Sequence, residues 1–240
     1  MERNTERGSR AGRRPQVEQG LLPFHRNGRR GGARPGAGRK SKADKDRGFV
    51  PHRARGRLAS RYPSHVTVRL VAGLPRLRDP KTYRVLRRCF RAGCERFGFR
   101  LVHYSVQGNH LHLITEAKDR AAQSRGMQGL LIRIAKALNK LWERKGRVFA
   151  ERFHEHVLRS PREVRHALCY VLNNVRRHLR NAAVTLDKYC SGWWFDGWRQ
   201  RLVMENVPEQ PTAAARTWLL STGWRRHGRI GIEEIPGPSG

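Results

Sequence analysis

Between residues 61 and 180 the apolar positions change period several times, and each change marks an element. Residues 65–71 alternate apolar with polar, which predicts a strand buried on one face. Asp79-Pro80 opens a helix over about 81–97, with Val85, Leu86, Cys89, Phe90 and Phe97 at helical spacing. Gly98 ends it. Alternation returns over 101–106, and Gly108-Asn109 is a turn signal before the next apolar run, so this stretch predicts a β-hairpin. A second helix, about 123–144, carries Leu130, Leu131, Ile134, Leu138, Leu141 and Trp142 as its buried stripe. Residues 148–158 read as a further strand. Ser160, Pro161 and Glu163 then supply an N-cap, a first-turn proline and a capping-box acid for a helix reaching about residue 180. The order strand, helix, two hairpin strands, helix, strand, helix predicts an α+β fold. It is a ferredoxin-like (RRM-like) antiparallel sheet with helices on one face, plus an extra C-terminal helix.

The flanks lack this periodicity. Residues 1–60 hold 17 Lys and Arg against 5 acids, with many Gly and Pro, and predict a disordered basic arm. Within it, Arg34, Arg39 and Lys40 lie in a Gly-rich stretch similar to an AT-hook-like minor-groove reader; the plainer reading is a charge-driven arm. Residues 61–180 form the folded unit, and 181–240 a C-terminal extension. In that extension Trp193-Trp194-Phe195-Asp196-Gly197-Trp198 is a dense aromatic knot, read as a cap on the core in preference to a base-stacking surface. One short helix is expected around 213–220.

Charge narrows the partners. The 240 residues carry a formal net charge of +32, far more than solubility requires, which predicts nucleic acid first and an anionic membrane surface second. No apolar run reaches the roughly 18 residues of a membrane span, and no signal-peptide core follows Met1, so a cytoplasmic, nucleoid-associated protein of prokaryotic type is expected. Cys89, Cys94, Cys169 and Cys190 form no Cys-x-x-Cys pair and read as reduced thiols.

Two places concentrate chemistry. On a strand, His110 and His112 share one face while Leu111 and Leu113 take the other, so the imidazoles are either a metal-holding pair or two polar residues on a wet face. On the last helix Val164, Leu168, Val171, Leu172, Val175 and Leu179 fall in one arc, and Tyr170 lies on the opposite side with His166 and Asn174 one turn to either side of it. That tyrosine is either solvated or displayed towards a site. His154-Glu155-His156 repeats the two-residue spacing as a rival pair. Tyr104, on the face of Val102 and Val106, reads as core, and Tyr189 lies in a loop-like segment.

The combination resembles the single-tyrosine HUH transposases, in particular the insertion-sequence-200-like and REP-associated tyrosine transposases. Gly108-Asn109-His110-Leu111-His112-Leu113 is similar to that family's Pro-Asn-His-x-His signature, with Gln107-Gly108 replacing Met-Pro. Tyr170-Val171-Leu172-Asn173-Asn174-Val175-Arg176 is similar to its Tyr-Ile-x-x-Asn-Pro-Val-Arg segment, with Val175 where proline is common. The resemblance implies a transposase that cuts and rejoins single-stranded or hairpin DNA through a 5′-phosphotyrosine. It implies Mg²⁺ or Mn²⁺ held by His110, His112 and Asn174, with Tyr170 as nucleophile on the extra helix, His166 as a possible helper, and a monomer or homodimer. Arg84, Arg87, Arg88 and Arg91, with Arg176, Arg177 and Arg180, would contact phosphates. The alternatives are a non-catalytic, domesticated nucleic-acid-binding protein on the same fold and a nuclease that hydrolyses without a covalent intermediate.

Overall fold

The computed structural model describes residues 55–175, 186–202 and 209–237. The expectations for the N-terminal arm, including Arg34, Arg39 and Lys40, and for Arg176, Arg177 and Arg180 lie outside the described residues. The described core is α+β. Its strands are β1 (Ser64–Arg69), β2 (Glu95–Arg96), β3 (Phe99–Val106), β4 (His110–Ala117) and β5 (His154–Val157); its main helices are α1 (Pro80–Gly93), α2 (Arg120–Leu141) and α3 (Pro161–Leu172). The strands form one sheet in the order β2-β3-β4-β1-β5, every neighbouring pair antiparallel. Helices α1 and α2 make the crossovers that carry the chain between non-adjacent strands.

Period-two alternation sorts the strand side chains between two cores. Val66, Val68, Leu101, Tyr104, Val106, Leu111 and Leu113 pack with Leu86 and Phe90 of α1 and with Leu130, Ile134 and Leu138 of α2. Val102 and Ile114 pack instead with Val164, Leu168, Val171 and Leu172 of α3 and with Phe195, Trp198 and Trp224 of the C-terminal segment. Helices therefore cover both faces, α1 and α2 on the first and α3 with the helical turns of the C-terminal segment on the second. Helix α2 lies close to β3 because Gly126 has no side chain: a Cβ there would stand 2.1 Å from Cγ of Phe99.

Four departures from the periodicity bear on the site, beside a strand β5 that spans only His154–Val157 of the expected 148–158. The first helix stops at Gly93, because Phe97 (φ 51°) and Gly98 (φ 80°) make a tight left-handed turn that pairs Glu95-Arg96 with Phe99-Arg100. Phe97 is thereby thrown out of the predicted stripe and is 82% exposed. Helix α2 starts earlier than expected, where the Asp119 carboxylate accepts from the Ala122 N–H. A register shift between Leu101 and His103 sends Val102 to the α3 face, so it does not share Tyr104's side. Last, α3 breaks at Asn173, whose side chain turns away to donate to the carbonyls of Gly231 and Glu234 at 2.9 Å each, and helical geometry resumes at 174–175.

The C-terminal segment is tied to the sheet by a buried acid. The Glu116 carboxylate on β4 accepts from Arg100 (2.8 and 2.9 Å), from the backbone N–H groups of Arg216 and Thr217, and from the Thr217 hydroxyl at 2.7 Å. Arg78 fastens the loop before the aromatic knot in the same way, through two 2.8 Å bonds to Asp187. Phe195 and Trp198 do cap the α3-side core, whereas Trp193 and Trp194 stay half-buried. The helix expected at 213–220 is shorter and later, a single turn Trp218–Ser221.

Candidate active site

On the α3 face, register brings the polar positions of three strands into line. Thr67 pairs with His112 on one side and His154 on the other, and His65 pairs with His156. These side chains, with α3 and with Glu234 and Gly237 of the C-terminal segment, line a pocket of about 670 Å³ whose wall includes His65, Thr67, His112, His166, Tyr170 and Glu234. His112 is buried at its floor, anchored because Leu111 and Leu113 on either side are fixed in the opposite core.

The imidazoles are coupled. Nε2 of His110 and Nε2 of His112 are 3.1 Å apart, with the rings at 90°. Two lone pairs facing each other at that distance would repel, so the arrangement calls for a proton on one of the two nitrogens or a cation shared by both. The remaining nitrogens have their own partners: Nδ1 of His110 meets Oδ1 of Asn109 at 2.9 Å, and Nδ1 of His112 meets Oγ1 of Thr67 and Nε2 of His65, both at 3.2 Å. Asn109 as acceptor puts the Nδ1 proton on His110 and its lone pair on Nε2. Burial, helped by His156 and His154, pushes the His65 imidazole down to about 4, so it is neutral near pH 7.

Tyr170 joins this cluster. Its ring stands edge-on to His112 (centroids 5.0 Å, 87°) and to His65 (5.6 Å, 60°). The polar side of α3 thus faces the histidines. His166, one turn earlier, is exposed at the rim, as are His154 and His156. Asn174 lies just past the break at Asn173 and is not among the residues that line the pocket; it is buried, and among the described residues its Oδ1 accepts no hydrogen bond.

An ion held at right angles by two nitrogens at about 2.1 Å needs them roughly 3 Å apart, the spacing His110 and His112 have. Among the described residues no set of three or more His, Cys, Asp or Glu side chains has metal-binding geometry. Asn174, whose buried Oδ1 accepts no hydrogen bond among the described residues, has the oxygen chemistry a hard ion takes, but it is not among the residues that line the pocket.

The arginines of α1 are not part of this site, since α1 covers the other face. Arg84, Arg88 and Arg91 are exposed there; Arg91 pairs with Glu209, and Arg87 lies 5.4 Å over the Trp194 ring and donates to the Glu209 carbonyl. Tyr104 is fully buried with its hydroxyl 2.9 Å from that of Tyr83, and burial raises it above the usual phenol range; Tyr189 is buried against Tyr83. Sequence reading passed over His65 and Thr67 as members of the site. Their signal was the alternation of β1 itself, which puts both on the face of His110 and His112 once β1 and β4 are adjacent.

The fold and pocket define an α+β protein with a histidine pair on a central strand and a tyrosine on a covering helix. No family model and no curated protein matches the chain. It is similar to a solved structure described as a REP-associated tyrosine transposase bound to a REP hairpin, with 19% identity, a TM-score of 0.44, and coverage of 54% of this chain and 74% of that one. At that level of superposition the likeness identifies no activity.

Proposed function

We propose that the chain is a metal-dependent enzyme of the transposase type, on a ferredoxin-like sheet, that cuts and rejoins single-stranded or hairpin DNA. The observation that carries this reading is the convergence of β4 and α3: His110 and His112 side by side, with Tyr170 edge-on to His112. A tyrosine merely solvated on a helix face has no reason to meet two strand histidines inside a pocket.

Tyr170 Oη would attack the scissile phosphorus as its proton leaves. The P–O3′ bond breaks, the departing 3′ oxygen takes up a proton, and the 5′ phosphate stays on the tyrosine. Because the phosphotyrosine conserves the bond, another 3′-hydroxyl can attack it, restore a phosphodiester and release Tyr170. A divalent ion, Mg²⁺ or Mn²⁺, on His110 and His112 with Asn174 as a further donor would supply Lewis-acid polarisation of the phosphate. Thr67, His65 and Asn109 hold both imidazoles in orientation, and His166 would take the tyrosine's proton. The net charge of +32 supports a polyanionic substrate.

The test is incubation of the full chain with labelled hairpin DNA bearing a single-stranded arm and Mn²⁺, followed by a denaturing gel. A covalent adduct is expected that disappears in Tyr170→Phe and on chelation. Salt-sensitive binding without any adduct would leave a non-catalytic DNA-binding protein, and free cleaved ends that persist in Tyr170→Phe would mean a hydrolytic nuclease.

A further inference from the structure

A second cleft, of about 500 Å³, opens beside the aromatic knot, lined by Trp193, Trp194, Gln200, Arg201 and Arg229 among others. Trp193 is tethered, its Nε1–H donating to the Asp187 carbonyl at 3.1 Å; Trp194 packs against the α1/α2 core under the Arg87 guanidinium; and Phe195 and Trp198, also in the lining, are packed edge to face. Two indoles therefore stay half-exposed in fixed positions. Arg201 and Arg229 are both exposed, and neither guanidinium has a hydrogen-bond or ion-pair partner among the described residues. Other arginines nearby are paired: Arg199 with Glu233 and Arg225 with Asp196.

An aromatic wall flanked by two uncompensated guanidiniums fits a flat ring joined to phosphates. A proline-rich peptide would use the indoles and leave the arginines unpaired; an acidic peptide would do the reverse. The cleft also adjoins the histidine pocket. One turn separates them: Glu233 binds Arg199 and Gln200 on the cleft side, while its neighbour Glu234 binds Arg165 on the pocket side, and Arg229 lies two residues before that turn. We propose that this cleft stacks an unpaired nucleobase of the DNA strand whose cleavage occurs at Tyr170, with Arg201 and Arg229 on the adjoining phosphates. This rests on the DNA-cleaving reading for the identity of the strand, not for the chemistry of the cleft.

The experiment is fluorescence anisotropy of a labelled DNA hairpin with a single-stranded arm, using the full chain, across a salt series. Arg201→Gln with Arg229→Gln removes only exposed side chains. It should bind more weakly, with the slope of log K against log salt smaller by about 1.4, or ~0.7 for each single-strand phosphate lost. Trp193→Ala should weaken binding by about 5- to 150-fold, the range for loss of one stacked base, and Trp193→Phe should recover much of it. If Trp193→Ala unfolds, the arginine pair decides. Native affinity and native salt slope in the arginine double variant would overturn the proposal. An RNA strand of the same sequence that binds more tightly than the DNA would overturn the DNA assignment. The two readings fail separately: weakened binding in the variants with no adduct on the gel leaves the cleft and removes strand transfer, while an adduct with unchanged variant binding does the opposite.

Discussion

On the α1/α2 face the central strands contribute Val66, Val68, Leu101, Leu111 and Leu113 to a dry core; on the α3 face the same strands contribute His65, Thr67, His103, His112 and Glu116. The backbone is shared, and alternation alone makes the difference. A strand whose apolar residues are fully buried on one side cannot slip by one residue without exposing them all, so the polar set opposite is held in register just as firmly. The dry face sets the precision of the wet one. It follows that a residue can matter to the pocket without lining it, and that a pocket residue can be replaced with little loss of stability.

Substitutions on the two faces should separate these effects. The largest expected is in the dry core. Phe90→Ala, at a fully buried position, should cost about 3–5 kcal/mol in urea unfolding while adduct formation per folded molecule is unchanged. A lower adduct yield at constant folded fraction would mean that the faces are coupled. Glu116→Ala should cost a similar ~3–5 kcal/mol, because it leaves the Arg100 guanidinium and the Thr217 donors unpaired under the C-terminal segment. Limited proteolysis should then cut that segment first.

A smaller effect is a pH dependence that belongs to the α3 face. His103, on β3 against Ser191 and Phe195, is pushed down to about 4 by burial, against a weaker upward pull from Asp196 and Glu116. Between pH 6.5 and 4 the unfolded chain binds a proton that the folded chain refuses. Stability is therefore full above 6.5 and falls as pH drops through that window, by roughly 3 kcal/mol for this residue. Unfolding measured at pH 7.5 and 4.5 should show a smaller difference in His103→Gln than in the native chain. The smallest expected effect is at the rim: His154→Ala and His156→Ala, both exposed, should change stability by no more than ~0.5 kcal/mol and leave the adduct in place. Loss of the adduct in either would transfer the ligand role from His110 and His112 to the rival pair.

How far the sequence could be read depended on the range of the interaction involved. Alternation over β1, β3 and β4 and the caps at Asp79 and Ser160 are local, and they gave the element types and the order of the core. The split of Leu111 and Leu113 from His110 and His112 was legible for the same reason. The end of α3 was not, because it is set by carbonyls of Gly231 and Glu234 that reach Asn173 from far along the chain. Nor was Phe97, whose helical spacing continues past a turn that only strand pairing enforces.

What the sequence by itself determined is therefore the α+β element order, the basic character of the chain, and the pairing of two histidines on one strand face. Only the tertiary structure decided that Tyr170 stands edge-on to His112, that His65 and Thr67 belong to the same cluster, and that the α1 arginines lie on the other side. The physical reason is that side-chain direction along one element follows from its own periodicity. Which faces meet across elements is set by sheet register and by the burial of both cores at once.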